Sequence, residues 1–142
     1  MRDRVPTFRL EIATPLGKAL AADVEHVQLP SVQGELGVLP GHVPLLGALR
    51  AGAVRWHVGG KPSLAVAGPG FVEVEHDRVL VLTERFVPAA EIDAESMRQE
   101  RERAEAELAA YRDDPDAPRL AELRRALEWA EACLAVRAEH DR

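Results

Sequence analysis

The sequence predicts a protein that is mainly β with an added α-helical part: a β-sandwich or barrel, followed by an antiparallel pair of helices. Three observations lead to this prediction. Short segments in which apolar and polar residues alternate fill the first 90 residues. All ten glycines lie at or before Gly70. Residues 91–142 carry apolar side chains at helical spacing, and the whole formal net charge of −6 falls on them.

The change in composition near residue 90 predicts two domains. Residues 1–90 contain nine basic and nine acidic residues, whereas residues 91–142 contain nine arginines and fifteen acidic residues. Glycine and a balanced charge thus characterise the first part, and a surplus of carboxylates characterises the second. We expect a β-sandwich domain over residues 1–88 and an α-helical hairpin over residues 89–142.

Alternation of apolar and polar residues along the sequence predicts the strands. Successive side chains of a strand point to opposite faces, so alternation indicates a strand with one buried face. The segments with extended character are Phe8–Ile12, Lys18–Leu29, Val54–Val58, Leu64–Ala67, Phe71–Glu75 and Val79–Leu82. The turn residues that separate them are Thr14–Gly17, Gly59–Gly60, Gly68–Gly70 and His76–Asp77. Many short strands with turns at close intervals are typical of a sandwich or a barrel.

Pro30–Gly52 is the most informative segment of the chain. It contains five of the ten glycines and three of the ten prolines, yet it is rich in leucine and valine. The glycines and prolines exclude a buried helix, and the apolar residues exclude a disordered linker. We therefore expect a rigid apolar loop that presents itself to a partner. His42 lies within this segment, either as a structural histidine or as an interface residue.

The residues after 91 predict two helices. Asp93 is suited to cap the first helix, because its carboxylate can accept hydrogen bonds from the free amides of the first turn. This helix ends at Arg112–Asp116, and a second begins at Asp116 with Pro118 in its first turn. The expected apolar faces are Met97, Ala104, Leu108 and Tyr111 in the first helix, and Leu120, Leu123, Leu127, Ala130 and Leu134, with Ala126, Cys133 and Val136 beside them, in the second. Each helix buries a single stripe, so we expect a marginally stable hairpin.

Composition and missing motifs exclude several functions. A net charge of −6 argues against nucleic-acid binding. No stretch approaches the ~20 apolar residues of a membrane span, so we expect no direct membrane insertion. The five histidines and the lone Cys133 lack the spacing of zinc ligands, and we expect neither a metal site nor a cofactor. No GxxxxGK[ST], GxSxG or HExxH motif is present, so we expect no catalytic residues.

Three classes of function remain open at this point. The residues favour a non-catalytic interaction or regulatory subunit. Its second helix carries a small basic group, Arg119, Arg124 and Arg125, which is either a solvated face or a docking site for an acidic partner. The alternative is a free-standing β-domain that binds a small molecule such as a nucleotide. A small hydrolase ranks third, since the sequence lacks a pairing of nucleophile and base.

Several motifs of this chain are shared with a known family. The most specific is the run GELGVLPGHVPLL, which spans Gly34–Leu46. The other matching segments are Thr14-Pro15-x-Gly17, Leu49-x-x-Gly52, Gly70–Val74, Val79-x-Val81-Leu82-Thr83 and Glu91-Ile92-Asp93. On these residues the chain resembles the epsilon subunit of F-type ATP synthases over essentially its whole length, and the order of the two domains matches as well.

The resemblance implies a ten-stranded β-sandwich followed by a two-helix hairpin, in a non-catalytic subunit of the central stalk. The sandwich would lie beside the gamma subunit and on the c-ring, rotate with them, and couple proton flow to ATP synthesis. The hairpin would lie folded, or extend along gamma to the alpha and beta subunits and block ATP hydrolysis. The implied location is the cytoplasmic face of the bacterial inner membrane, as a peripheral part of the complex.

The resemblance also implies interface residues. The residues that would face the c-ring, with gamma contacts nearby around His42, are Val32, Gln33, Gly34, Glu35, Leu36 and Gly37. Many members have a glutamate where Gln33 stands, so Glu35 is the remaining carboxylate of this segment. When the hairpin extends, Arg119, Arg124 and Arg125 would meet an acidic segment of the beta subunit.

One motif of the family is degenerate in this chain. Some members bind ATP through an [IL]DxxRA motif at the start of the first helix. Ile92 and Asp93 are a remnant of that motif, because Ser96 and Met97 stand in place of its Arg and Ala. A cation that would face the phosphates is therefore missing, and we expect no bound ATP.

Overall fold

The computed structural model describes residues 5–142, and the chain divides into two compact units, one ending at Pro88 and one beginning at Ala89. The strands of the first unit, in chain order, are β1 Phe8–Thr14, β2 Gly17–Val24, β3 His26–Ser31, β4 Gly34–Val38, β5 Leu45–Leu49, β6 Gly52–Val58, β7 Lys61–Ala67, β8 Gly70–Val74, β9 Arg78–Thr83 and β10 Phe86–Pro88. The second unit consists of a short 3₁₀ turn, Ala89–Glu91, and of the helices α1 Ala94–Ala110 and α2 Arg119–His140.

The ten strands described for the first unit form one continuous hydrogen-bonded sheet. Its order is β10-β7-β6-β3-β5-β8-β9-β1-β2, and β4 pairs with β3 outside this path. Neighbouring strands are antiparallel, except that β1 and β9 run parallel. The sheet folds on itself so that its apolar face lies inside. The predicted ten-stranded sandwich with a C-terminal pair of helices is therefore confirmed.

Alternation along the strands produces the core of the sandwich. In β1, Phe8, Leu10 and Ile12 are buried, whereas Arg9 between them is exposed. The core is mostly aliphatic, as expected from an aromatic content of 4%. Trp56 and Phe86 add an aromatic contact, with ring centroids 6.2 Å apart. The side chains on the inner face of the sheet thus supply most of the buried apolar surface that stabilises this unit.

The segment Pro30–Gly52 is not the loop that its composition predicted. It contains the β3–β4 hairpin, a short connection over residues 39–44, and strand β5. Gly34 begins β4 at a φ of +123°, a conformation that other residues rarely adopt. Glycine and proline usually disfavour strands, so the composition pointed to a loop. In the structure, hydrogen bonds to strands distant in sequence hold these residues extended.

The helical unit begins as predicted but differs at its second helix. Asp93 is the N-cap of α1, and its Oδ1 accepts a hydrogen bond from the Ser96 amide at 3.1 Å. Helix α2 begins at Arg119 and not at Asp116, and Pro118 occupies the N-cap position. Proline disfavours the helical conformation in the residue before it, which keeps Ala117 in the preceding turn.

The buried residues of α2 lie on different sides of the helix in its two halves. The N-terminal half buries Leu120 and Leu123, as predicted. The C-terminal half buries Trp129, which the sequence analysis missed, together with the predicted Ala130, Cys133 and Val136. Ala126 was predicted beside the apolar face and is exposed. A single line of apolar residues at constant spacing could not describe a face that shifts between the two halves.

We predict that Gly70→Ala destabilises the sandwich by about 1–3 kcal/mol, the usual cost of overpacking. A Cβ at position 70 would overlap the main-chain carbonyl of Leu82 on the paired strand, and this backbone cannot move without breaking the β8–β9 ladder. The measurement is urea unfolding of the full chain. The matched control is Gly37→Ala, because a Cβ at position 37 has no atom within 4 Å. Equal unfolding midpoints for the two variants would contradict the prediction.

Candidate partner-binding surfaces

The β3–β4 turn forms a firmly held tip at one end of the sandwich. Val32 and Gln33 make the turn, and the Val32 side chain is 60% exposed. The Val32 amide donates to the Ala48 carbonyl of β5 at 3.0 Å, and the Gln33 amide donates to Ser31 Oγ at 3.0 Å. The tip is thus fixed both by its own hairpin and by a neighbouring strand. It offers a partner a surface that is already ordered.

The residues after the tip belong to strand β4 and do not all face outward. Gly34, Glu35 and Gly37 are exposed. Leu36 is half-buried and packs against the core. Of the residues expected to face a partner, Leu36 therefore positions the strand and contributes little exposed surface.

Glu35 is not a free carboxylate. Its Oε1 lies 2.8 Å from Nη1 of Arg55 on β6, and their side chains are 53% and 31% exposed. The register explains the contact, because Glu35 lies opposite Pro30 and Arg55 lies opposite Gln28, both on β3. Arg55 was not predicted from the sequence, because it is twenty positions away and carries no local signal of this pairing.

His42 lies apart from the tip. It sits in the connection between β4 and β5, half-buried, with Nδ1 2.7 Å from the Val43 carbonyl oxygen. The whole of β4 separates it from Gln33, roughly 20 Å of extended chain. Around it, Leu39 and Val43 are 63% and 70% exposed. The structure therefore divides the predicted interface residues into two regions at opposite ends of β4.

The outer face of β5, β8, β9 and β1 carries an apolar surface that the sequence analysis did not identify. Leu46, Phe71 and Leu82 are 81%, 67% and 50% exposed. The register places Ala48, Phe71, Leu82 and Ala13 in one row across these four strands. We call this row, together with Leu46, the apolar sheet face. Large exposed apolar side chains gathered on one face mark an interaction surface.

Charged residues border the apolar sheet face. The neighbouring row contains Glu73 and Glu11, which flank Leu80 on β9. The Lys18 ammonium donates a hydrogen bond to Glu11 Oε2 at 3.1 Å. This hydrogen bond holds the pKa of the Glu11 carboxyl below its ordinary value. The Glu11 carboxylate of this border is therefore charged at neutral pH. An apolar centre with a polar rim is the usual composition of a protein–protein interface.

The three arginines predicted to act together on α2 have different surroundings. Arg119 donates to Glu122 at 2.7 Å and to Glu107 of α1 at 3.1 Å. These hydrogen bonds, first that of Glu122 and then that of Glu107, raise the pKa of the Arg119 guanidinium. Arg124 and Arg125 are exposed and pair with no residue in the described range 5–142. Two of the three arginines are thus open to a partner in this state, and the third is engaged.

Ile92 and Asp93, the remnant of a nucleotide motif, have structural roles. Ile92 is 6% exposed, and its main-chain carbonyl lies 3.4 Å from Nη1 of Arg137. The same nitrogen donates to the Ala90 carbonyl at 2.9 Å. The Asp93 carboxylate caps α1. These contacts fix the start of the helical unit.

The described residues offer neither a cluster of metal ligands nor a helix suited to span a membrane. Among residues 5–142, no three or more His, Cys, Asp or Glu side chains come together as metal ligands. In the same range, neither α1 nor α2 has the length and apolar character that a bilayer span requires.

The chain is similar to known proteins in both sequence and fold. The family described as ATP synthase, Delta/Epsilon chain, beta-sandwich domain matches residues 7–89. An ATP synthase epsilon chain of Halalkalibacterium halodurans is 42% identical over 104 residues, which are 73% of this chain and 78% of that relative. The aligned part of this chain is longer than residues 7–89, so the similarity extends beyond the sandwich.

Solved structures show the same architecture. A chain in the mitochondrial ATP synthase of Euglena gracilis, in an assembly of OSCP, F1 and c-ring, superimposes with a TM-score of 0.77 at 27% identity. The superposition covers 95% of this chain and 84% of that one. A chain from the central stalk and c-ring of the Tetrahymena thermophila enzyme has a TM-score of 0.57 at 10% identity, covers 99% and 100% of the two chains, and shows the shared fold alone.

We predict that Glu35 and Arg55 stabilise the sandwich jointly by about 0.2–1 kcal/mol, the range for a partly exposed ion pair. The test is a double-mutant cycle with Glu35→Gln, Arg55→Gln and both together, followed by urea unfolding. The coupling should fall as salt is raised, because screening weakens exposed pairs. A coupling of zero at low salt would show that the contact does not hold β4 against β6.

Proposed function

The chain belongs to the family of ATP synthase epsilon chains, and on this premise we propose that it is a non-catalytic central-stalk subunit that rotates with gamma and the c-ring. In this role it couples proton translocation to ATP synthesis. The observation that carries the proposal is the family match over residues 7–89, which covers the whole sandwich. The same role accounts for an exposed apolar sheet face on a unit whose core is otherwise complete.

The apolar sheet face is the proposed docking site for gamma. Leu46, Phe71 and Leu82 present side chains that are each at least half exposed, and their burial under a partner would be favourable. The charged border around Glu11 and Glu73 would orient the partner and exclude others. A subunit that turns with gamma needs such a lasting contact, since torque must pass through it.

The β3–β4 tip is the proposed contact with the c-ring. It is short, ordered by hydrogen bonds to β5, and exposes Val32 at its end. Gln33 keeps the tip itself uncharged, and Glu35 is largely neutralised by Arg55. This surface suits the polar loops of a ring better than a strongly charged one would. Docking there places the subunit at the cytoplasmic face of the bacterial inner membrane, as a peripheral part of the complex.

Residues 89–142 form the proposed regulatory domain, and residues 1–88 the proposed coupling domain. In the regulatory domain the hairpin opens, and α2 extends towards the alpha and beta subunits and inhibits ATP hydrolysis. Arg124 and Arg125 are exposed without an ion-pair partner in the described chain, so they are available to an acidic segment of beta. Few apolar residues hold α1 in place, since Ala104 is the one buried side chain among its described residues and Leu108 is half-buried.

We predict that Phe71→Ser weakens binding to the cognate gamma subunit about ten-fold or more, because it removes an apolar anchor from the centre of the face. The measurement is calorimetry or surface capture of the two purified subunits. The control is Val58→Ser, which changes another exposed apolar residue, 43% exposed, at the end of β6. Equal affinities for the two variants would rule out the apolar sheet face as the gamma site. No stable complex with gamma for the unmodified chain would contradict the proposed function itself.

We predict that deleting residues 91–142 leaves assembly with gamma intact and raises ATP hydrolysis by the complex several-fold. The physical reason is that the sandwich retains its own core, whereas the inhibitory contact is made by the helices. The measurement is a hydrolysis assay on the complex reconstituted with the full and the shortened chain. Unchanged hydrolysis would mean that the helical unit has a structural role and no inhibitory one.

A further inference from the structure

A single arginine joins the two helices next to the turn between them. Arg119, the first residue of α2, donates from Nη2 to Glu107 of α1 and from Nη1 to Glu122 of α2. The guanidinium thus holds two carboxylates at once, which its planar fork allows. Glu107 and Arg119 lie on either side of the connecting turn, so their contact restrains α2 from swinging away from α1. We call this arrangement the clasp.

Helix α1 contributes little buried apolar surface to its contact with α2. The described residues of α1 bury one side chain, that of Ala104, while Leu108 is half-buried. An open groove of about 580 Å³ runs between the helices. The residues that line this groove are Glu100, Arg103, Ala104, Ala106, Glu107, Ala110, Arg119, Leu123 and Ala126. Four of these nine residues are alanines, which offer little apolar area to hold the helices together, so polar contacts have a larger share in closing the hairpin.

The clasp differs from the other ion pairs of α1. Arg98 pairs with Glu95 at 3.0 Å and Arg101 with Glu105 at 3.8 Å, both within the helix. Of the ion pairs that α1 makes with described residues, that of Glu107 is the one that reaches α2. The intrahelical pairs, that of Arg119 with Glu122 included, do not depend on a closed hairpin, whereas the contact between Arg119 and Glu107 does.

We propose that Arg119 is a latch whose guanidinium is held by Glu107 in the closed hairpin and is released from it to carboxylates of the inhibited enzyme when the hairpin opens. This proposal rests on the proposed function. Closure and inhibition then compete for one cation, and the balance between the two states depends on which carboxylates bind it better. Arg124 and Arg125 are unpaired in the closed state, and they make the first contact with the acidic partner before the clasp opens.

The first test measures the open fraction, which is the fraction of molecules whose helical hairpin is open. It uses the isolated full chain and the distance between two spin labels. The labels are placed on Gln99→Cys and Ala135→Cys, two exposed positions on α1 and α2, in a Cys133→Ala background. Glu107→Gln should raise the open fraction about two- to five-fold, as expected for loss of one exposed ion pair. The matched control, Glu105→Gln, removes the same charge from the same helix without touching the clasp, and it should leave the open fraction unchanged.

The second test separates the latch from the inhibitory contact by ATP hydrolysis in the reconstituted complex. Glu107→Gln frees Arg119 for the partner and should lower hydrolysis two- to five-fold. Arg119→Gln also opens the clasp, but it removes the cation that the partner would bind, so hydrolysis should rise. Both variants should open the hairpin of the free chain, although their effects on hydrolysis have opposite sign. Circular dichroism checks that each variant keeps its helices.

The outcomes distinguish failure of the latch from failure of the proposed function. Equal open fractions for Glu107→Gln and Glu105→Gln would overturn the latch, whatever the hydrolysis assay shows. A raised open fraction with hydrolysis unchanged in both variants would support the clasp as the closure of the hairpin and contradict the proposed inhibition. A fall in hydrolysis for Arg119→Gln equal to that for Glu107→Gln would overturn the release of Arg119 to a partner.

Discussion

The parallel pairing of β1 with β9 is the contact on which the rest of the sandwich depends. Residues 9–13 lie beside residues 78–82, so the first strand joins a strand that follows it by nearly seventy positions. The Arg9 amide donates to the Asp77 carbonyl at 3.0 Å at the start of this seam. Without the pairing, β1 and β2 would be a separate hairpin with an exposed apolar face. With it, Leu10 and Ile12 enter the common core, and Ala13 extends the row of Phe71 and Leu82 outside.

The two units differ in the kind of interaction that stabilises them. The sandwich is held by aliphatic side chains on the inner face of a continuous sheet, a large and non-directional contribution. The helical hairpin combines the burial of α2 side chains such as Leu123 and Trp129 with ion pairs at its surface, which are weak and sensitive to salt. The proposed function requires one surface that stays bound and another that changes partner. The difference between aliphatic burial and exposed ion pairs provides both within a single chain.

Charge pairing also determines which residues face a partner. Glu35 and Arg119 are each exposed on the surface, and in sequence each reads as a free charge. In the structure Arg55 engages Glu35, and Glu107 and Glu122 engage Arg119. The unpaired arginines of α2 are therefore Arg124 and Arg125, within the described chain. An interface assigned by charge alone would have included residues whose charge is already compensated.

The sequence by itself determined the features that depend on neighbours along the chain. Alternation in Phe8–Ile12 and Val79–Leu82 predicted strands, Asp93 predicted the start of α1, and the run Gly34–Leu46 indicated the family. Rules based on neighbouring residues failed where the conformation of a segment depends on residues far away in the sequence. Glycines and prolines made a paired hairpin look like a loop.

Which residues lie together on an exposed surface depends on the tertiary structure alone. Phe71 and Leu82 look like core residues in an apolar strand, and only the register of β8 and β9 shows that they share an outer row. His42 and Gln33 are close in sequence, and they lie beyond opposite ends of strand β4. The physical reason is that a periodic pattern specifies which side chains share a face of one strand. Which strand lies alongside, and in which register, is set by hydrogen bonds and burial between distant segments.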